Sequence, residues 1–379
     1  MGQEYKNIAV VGAGAAGCLC TYFLLQAGYQ VTLFDKGLPL RTLLPTGGGR
    51  CNFAHEEYNP IELAKNYPRG EKFLYSIFSK FSTADTLKLF EELGLKYYIQ
   101  DNGRIFPQSN SAKEVRETIL KKINKTHFIK EEVIDIRPLN KEFIIKTTSS
   151  KYLFTHVICA IGGHSGHDLA KNLGIKITPT KPALVGLNTL ETFKDLSGCV
   201  VKNCIYNNLK DDLLFTHYGI SGPLIYTISS IKAFDKMPYI LSFDLCSNLT
   251  DLQSDLNKYP HKEIKNILNK YLPQKVVSYI LKNINENTKA HKIDGKTRDL
   301  ILDKIHHFEI NIIGTNKGEE TVTAGGVDLK EINPKTMESK NIPNLYFIGE
   351  VLDIDGLCGG FNLQNAWSTA YVCAKALSN

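Results

Sequence analysis

The chain has 379 residues, 43% of them hydrophobic and 22% charged, with a net charge of +6, which excludes a disordered or fibrous protein and leaves room for two or three domains. No apolar run approaches the ~18 residues that cross a bilayer, the N-terminus runs almost directly into the first apolar stretch, and the basic residues are scattered rather than interleaved with aromatics; a membrane anchor, a secretory signal and a nucleic-acid partner therefore lack support. The nine cysteines, an odd number spread along the chain, read as reduced thiols of a cytoplasmic protein.

Ile8-Ala9-Val10-Val11 predicts a buried parallel strand. Gly12, Gly14 and Gly17 follow in GxGxxG spacing. The first permits a tight turn, the second lets backbone approach a pyrophosphate, and the third lets the next helix pack closely on the strand. That helix ends at Gly28. A second strand, Val31–Phe34, carries Asp35 at its end, 18 positions after Gly17, where an acid that bonds a ribose hydroxyl belongs. A 2′-phosphate would bring a second negative charge beside Asp35, which leaves NAD or the ADP half of FAD.

Thr46-Gly47-Gly48-Gly49-Arg50-Cys51-Asn52 has the composition of a backbone anion cradle, with Arg50 available to a phosphate and Thr46 and Asn52 to ligand oxygens. Residues 60–130 read mostly as helices, over 71–80, 83–93 and 112–124, with a hairpin around Asp101-Asn102-Gly103. Three antiparallel strands come next, over 132–137, 143–147 and 152–154. A buried strand over 156–161 runs into Gly162-Gly163. Composition changes near Lys181-Pro182. Short β-type runs occupy 184–245, broken by the turn-rich loop 215–223. Residues 250–307 are helical in pattern, with breaks at Pro260 and Pro273, and their charges read as solvated helix faces. Cys199 and Cys204 read as ordinary buried thiols, and no metal-ligand spacing surrounds them. At the C-terminus, a strand over 345–348 leads through Gly349-Glu350 and a glycine-rich turn to a final helix.

A nicotinamide domain needs one glycine loop. Here three further glycine sites, at 46–52, 162–163 and 349–364, are spread along the chain, which a longer cofactor touching four regions would explain. The stretches TGGGRCN, FTHYGISGP, TAGGVDLKEINPKTMESK and LYFIGEVLDIDGLCGGFNLQNAWSTA carry a resemblance over essentially the whole chain. It is similar to the bacterial FAD-dependent oxidoreductases related to aminoacetone oxidase and the bile-acid-dehydroxylation flavoprotein.

The resemblance implies an α/β fold: a glutathione-reductase-type FAD-binding Rossmann domain, 1–182 and 322–379, interrupted by a β-barrel-like plus helical insert, 183–321. The insert is expected to be β-rich over 183–248 and helical over 249–307. The resemblance implies that Gly12, Gly14, Ala15, Ala16, Asp35 and Lys36 meet the ADP half of FAD. It sets Thr46, Gly47, Gly48, Gly49, Arg50, Cys51 and Asn52 on the pyrophosphate and ring side, and Val133 at adenine through its backbone. Gly349 and Glu350 fall at the ribityl chain, and Gly360, Asn362, Leu363 and Gln364 at the flavin ring. The chain departs from the family pattern at Thr46, at Cys358 and in the shortened segment after Gly163.

The leading expectation is an FAD-dependent oxidoreductase transferring hydride to or from an unidentified small molecule. A flavin-binding redox sensor without turnover and an RNA-modifying flavoenzyme are the alternatives. His217 and Cys51 are candidates for catalysis, the first as a proton donor and the second as a thiol or as packing at the cofactor. With a single dinucleotide fingerprint, NAD(P)H is expected only as a transient partner at the face the substrate uses, with O2 as the other electron partner. Oligomeric state is left open.

Overall fold

The computed structural model describes residues 6–163, 166–316, 318 and 321–378. Of the shortened segment after Gly163, His164 and Ser165 lie outside the described residues. The chain divides into two compact units, Met1–Lys181 with Val322–Asn379, and Pro182–Thr321.

The first unit is built on five parallel strands: β1 (Ile8–Val11), β2 (Val31–Phe34), β3 (His127–Ile129), β4 (His156–Cys159) and β5 (Leu345–Phe347), in the order β5-β4-β1-β2-β3. Ile8 sits opposite both His156 and Val31. All four β1 residues are buried, so the central strand has no polar face, as a sheet covered on both sides requires. Helix α1 (Ala15–Gln26) follows β1, and helix α2 (Phe361–Ser378) ends the chain. The two pack together, Phe23 edge-on to Tyr371 at 5.2 Å and the Tyr29 hydroxyl donating to the Leu377 carbonyl at 3.0 Å.

The antiparallel meander Val133–Leu139, Glu142–Thr147, Lys151–Phe154 stands where alternation placed it. So does the hairpin Tyr97–Ile99 with Arg104–Pro107, whose second strand also pairs with Ala54–His55. Strand β3 has no counterpart in the sequence reading. It is three residues long, begins with an exposed histidine and is not fully buried at any position, so it carries neither a long apolar run nor a clear alternation.

The second unit contains a six-stranded antiparallel sheet. Its order is Val200–Tyr206, Leu209–Phe215, Gly219–Ser221, Leu187–Thr189, Phe308–Thr315, Tyr239–Phe243. Ile205 and Asp244 exchange both backbone hydrogen bonds, each 2.9 Å, joining the first strand to the end of the last. The sheet thus closes on itself and loses its open edges. The strand run is interrupted by a helix over Pro223–Ile231, entered by proline at its first turn; apolar β-branched residues in this stretch resemble strand from sequence. Helices Leu252–Lys258, Ile264–Leu268, Gln274–Ile280 and Gly295–His306 complete the unit.

Candidate cofactor site

The glycine loop after β1 is shaped by three different contacts. At Gly12, φ is +104° and a Cβ would lie 2.2 Å from the Ala160 carbonyl oxygen. At Gly17, a Cβ would lie 1.9 Å from the Gly12 carbonyl oxygen, so helix and strand touch backbone to backbone. Gly14 is different: a Cβ there would meet only Thr42 Oγ1, at 4.0 Å. The loop is therefore packed from below and open above. Gly14 is also the N-cap of α1, supplies no side-chain cap and is followed by no acid in the first turn. The positive end of the helix is left for an anionic ligand.

Asp35 reaches back under this loop. One carboxylate oxygen accepts from the Ala13 N–H and the other from the Gly37 N–H, both at 2.7 Å. It braces the turn itself. A cavity of about 80 Å³ opens beside it, lined by Gly12, Asp35, Lys36, Glu132, Val133 and Ile161 among others. Four residues expected at the ADP half thus share one depression. Lys36 pairs with Glu132 at 3.0 Å with both side chains about half exposed, a solvent-screened pair. Ala15 and Ala16 form the first turn of α1.

In the second cradle Gly47, Gly48 and Gly49 have φ of +58°, +67° and +82°, a run of left-handed residues that turns successive N–H groups to one side. A Cβ at Gly48 would meet nothing within 4 Å. Two side chains here are not directed as the sequence suggested. The Thr46 hydroxyl donates to the Leu43 carbonyl at 2.6 Å. Arg50 folds back, its guanidinium 4.3 Å from the Phe106 ring centre and its Nε donating to the Gly47 carbonyl at 3.2 Å. Cys51 is fully buried at φ +63°, and burial pushes its thiol up to about 12. It packs: burial disfavours the thiolate, and the Thr46 hydroxyl offsets that only in part. Asn52 Oδ1 is buried without a hydrogen-bond partner.

That orphaned oxygen faces the start of α2. A Cβ at Gly360 (φ +93°) would lie 2.5 Å from the Ala54 carbonyl oxygen and 2.9 Å from Asn52 Oδ1. The cradle and the C-terminal helix therefore meet at one place. Asn362 does not present its side chain to a ligand. Its Oδ1 accepts from the Gly356 N–H at 2.9 Å and its Nδ2 donates to the Gly356 carbonyl at 2.8 Å, clamping the preceding loop. Leu363 is partly exposed. Gln364 is wholly buried, its Nε2 donating to Thr86 Oγ1 at 2.8 Å and Ser368 Oγ at 2.9 Å. Gly349 donates its N–H to Thr369 Oγ1 at 3.0 Å, and a Cβ on it would strike that of Ala16 at 2.7 Å. Glu350 accepts from the Thr323 N–H at 2.9 Å, and a Cβ on Gly163 would come within 2.7 Å of its Oε1. The Gly162-Gly163 turn is thereby held against it.

Several residues of this region carried no sequence signal. Asp355, fully buried, receives a two-pronged ion pair from Arg69. The Tyr67 hydroxyl donates to the Phe361 carbonyl at 2.6 Å. His55 lies 4.6 Å from the Phe361 ring, with Nδ1 3.2 Å from the Gly359 carbonyl oxygen. Their partners are distant in sequence, and only folding pairs them. His217 belongs to the second unit and is exposed there, edge-on to the Tyr218 ring at 5.0 Å.

Burial, ahead of the other influences on it, lowers the His55 pKa from its ordinary 6.5. A depressed histidine keeps its proton off in the folded state while the unfolded chain takes one. Stability from His55 is therefore complete above about 6.5 and falls as pH drops through that value. The stability difference between wild type and His55→Gln should be flat above pH ~6.5 and shrink below it. Thermal unfolding across pH checks this; a difference that grows on acidification would contradict it.

Open glycine cradles, the uncapped N-terminus of α1, the cavity beside Asp35 and the orphaned Asn52 oxygen fit a long anionic dinucleotide. The fold is that of a Rossmann-type FAD-dependent oxidoreductase. Residues 6–376 match the HI0933-like protein Rossmann domain, and the chain belongs to that family. It is 33% identical to a ribosomal RNA dihydrouridine synthase of Haemophilus influenzae over 99% of both chains. It is 30% identical to a ribosomal RNA dihydrouridine synthase of Escherichia coli, over 99% of this chain and 98% of the other. A 3-dehydro-bile acid delta(4,6)-reductase of Clostridium scindens is 25% identical over 98% of each. Among solved structures the chain is similar in fold to a flavocytochrome c3 fumarate reductase, with TM-score 0.54 and 14% identity over 99% of this chain and 78% of the other. FAD is the cofactor of this chain. Among the described residues no helix is long and apolar enough to cross a membrane.

Asp35→Ala is expected to weaken FAD binding by about 2–4 kcal/mol, because it removes two charge-assisted hydrogen bonds that hold the glycine loop. A titration of stripped protein with FAD measures it. Unchanged affinity would reduce Asp35 to a surface acid.

Proposed function

We propose that the chain reduces a carbon–carbon double bond conjugated to a carbonyl, and that the substrate is the uracil base of a ribosomal RNA. The observation that carries this reading is end-to-end similarity, at 33% and 30% identity, to two proteins named ribosomal RNA dihydrouridine synthase. In the sequence alone a small molecule leads and RNA comes last; this similarity supports the reverse order. Dihydrouridine is uridine saturated at C5 and C6, a bond conjugated to the C4 carbonyl, so one hydride is added at C6 and one proton at C5.

Bound FAD, once reduced, supplies the hydride. The chain's residues bind and orient. The loop Gly12–Gly17, braced by Asp35, and the 46–52 cradle hold the anionic half. The N-terminus of α2 presents backbone N–H groups and positive potential at Gly360. The buried Arg69–Asp355 pair and the Asn362 clamp keep the loop before α2 in one conformation. His217, exposed on its loop, is assigned the proton for C5. NAD(P)H is assigned as the reductant, in a transient encounter rather than at a second dinucleotide site.

Ribosomal RNA incubated with FAD-loaded protein and NAD(P)H, then digested and examined by mass spectrometry, should contain dihydrouridine. RNA that gains none, while the same protein saturates a 3-oxo-4,6-diene steroid, would favour a second reading. That reading, a small-molecule enone reductase, is supported by the 25% identity to the bile acid reductase. His217→Asn should lower the rate of reduction and leave FAD content unchanged.

A further inference from the structure

The second unit gathers positive charge that the linear sequence disperses. Between positions 258 and 296 there are nine lysines and three acids, an excess equal to the whole chain's net +6. The three acids are committed elsewhere: Glu263 and Glu286 lie 3.5 and 3.7 Å from Lys265, and Asp294 caps a helix by accepting from the Thr297 N–H at 2.7 Å. The break at Pro260 then folds three lysines around one ring. Lys270, Lys262 and Lys258 stand 3.6, 4.3 and 5.5 Å from the centre of Tyr259. All three lysines are exposed, as are His261 and His291. His291 Nδ1 approaches the Pro260 carbonyl oxygen at 2.7 Å, and its ring lies 5.6 Å from that of His261, which brings both imidazoles to the same surface.

One acid faces the group. Asp255 lies 3.7 Å from Lys270 and also accepts from the Tyr271 hydroxyl. Among the described residues Lys258 and Lys262 have no ion-pair partner. Cation–π attraction steadies each ammonium. The like charges still repel one another, and a polyanion would relieve that repulsion.

We propose that the surface formed by Lys258, Tyr259, His261, Lys262, Lys270 and His291 docks the phosphate backbone of RNA. This rests on the RNA reading above and names the surface that holds the partner. Lysines would meet phosphates as mobile point charges, and the exposed imidazole rings offer faces to unpaired bases. An anionic membrane would also attract lysines. Among the described residues, however, the lysine-bearing stretch 258–296 exposes no large apolar side chain, the nearest in sequence being Ile240 and Leu300, so the apolar anchor of an interfacial helix is lacking.

The test uses full-length FAD-loaded protein and a labelled single-stranded RNA of mixed sequence, titrated at several salt concentrations. A variant carrying Lys258→Ala, Lys262→Ala and Lys270→Ala should bind roughly tenfold to a hundredfold more weakly at low salt, with the log–log salt slope shallower by about two, as loss of three phosphate contacts predicts. Its FAD content and its rate of flavin reduction by NAD(P)H should stay at wild-type values. A control of equal charge change on the first unit, Lys113→Ala with Lys141→Ala and Lys151→Ala, should change RNA affinity about twofold at most, the scale of a general charge effect. Equal losses in both variants, an unchanged slope, or binding to phosphatidylserine vesicles in place of RNA would overturn the proposal. The two readings fail separately. RNA binding with the expected slope but no dihydrouridine would sink the catalytic assignment and leave the surface standing. Dihydrouridine formation with unaltered binding by the triple variant would do the reverse.

Discussion

Gly17→Ala is expected to cost about 3 kcal/mol or more and to yield little folded, yellow protein. The added Cβ would lie 1.9 Å from the Gly12 carbonyl oxygen and 3.2 Å from the Ala160 side chain. The nearest atom is backbone at the root of the glycine loop, so no flexible tip can swing away. Helix α1 would have to lift off β1, and with it the contact between α1 and α2. Gly14→Ala makes the informative contrast. Its Cβ meets no protein atom closer than 4.0 Å, and its φ of −77° suits any residue. The stripped protein should melt close to wild type, while FAD affinity falls because the methyl occupies ligand space. Thermal unfolding of stripped protein and flavin-to-protein ratio separate the two. If Gly14→Ala binds FAD normally, the open side of the loop is not the cofactor's side.

Arg69→Met is expected to destabilise the protein by about 3–5 kcal/mol, since it removes the two-pronged ion-pair partner of a buried carboxylate. Asp355 is 0% exposed and the Arg69 side chain only 17%, so water cannot easily replace the lost partner. Adding Asp355→Leu should restore part of the loss, because an apolar pair needs no desolvation. The functional consequence lies one residue on. Gly356 is the backbone that Asn362 clamps, so a loosened Asp355 should also weaken FAD binding at the start of α2. Denaturant melts of both variants, each with and without FAD, check this. A single variant as stable as wild type would show that the pair is dispensable.

The parts legible in the sequence are those in which local chemistry admits one answer. A buried run of β-branched residues ending in GxGxxG, and an acid at the end of the next strand, require a strand, a tight turn and a helix start wherever they occur. In the structure a Cβ added at Gly12 or Gly17 would come within 3 Å of backbone, and Asp35 at the end of β2 accepts two backbone hydrogen bonds at 2.7 Å. The hairpin at Asp101-Asn102-Gly103 and the alternating strands of the meander are local in the same sense. Glycine-rich stretches far apart in sequence marked a long cofactor, because backbone must approach something in each.

What only the tertiary structure decided depends on partners brought from elsewhere. Strand β3 exists because β2 offers it an edge, not because His127-Phe128-Ile129 resembles a strand. The helix over Pro223–Ile231 overrides β-type composition by burying its apolar residues against the second unit's sheet. Side-chain direction was equally out of reach. Thr46, Arg50 and Asn362 have the right chemistry for a ligand, yet the Thr46 hydroxyl, the Arg50 Nε and the Asn362 amide bond the Leu43, Gly47 and Gly356 backbone. Cys51 is fully buried, a property of the whole core. The lysines of 258–270 read as solvated helix faces until the turn at Pro260 set three of them around Tyr259. Sequence determined the kind of backbone this protein makes and the class of cofactor it takes, since both follow from short-range sterics and repeated glycine. The fold alone decided which side chains are free to act, because that depends on neighbours scores or hundreds of residues away.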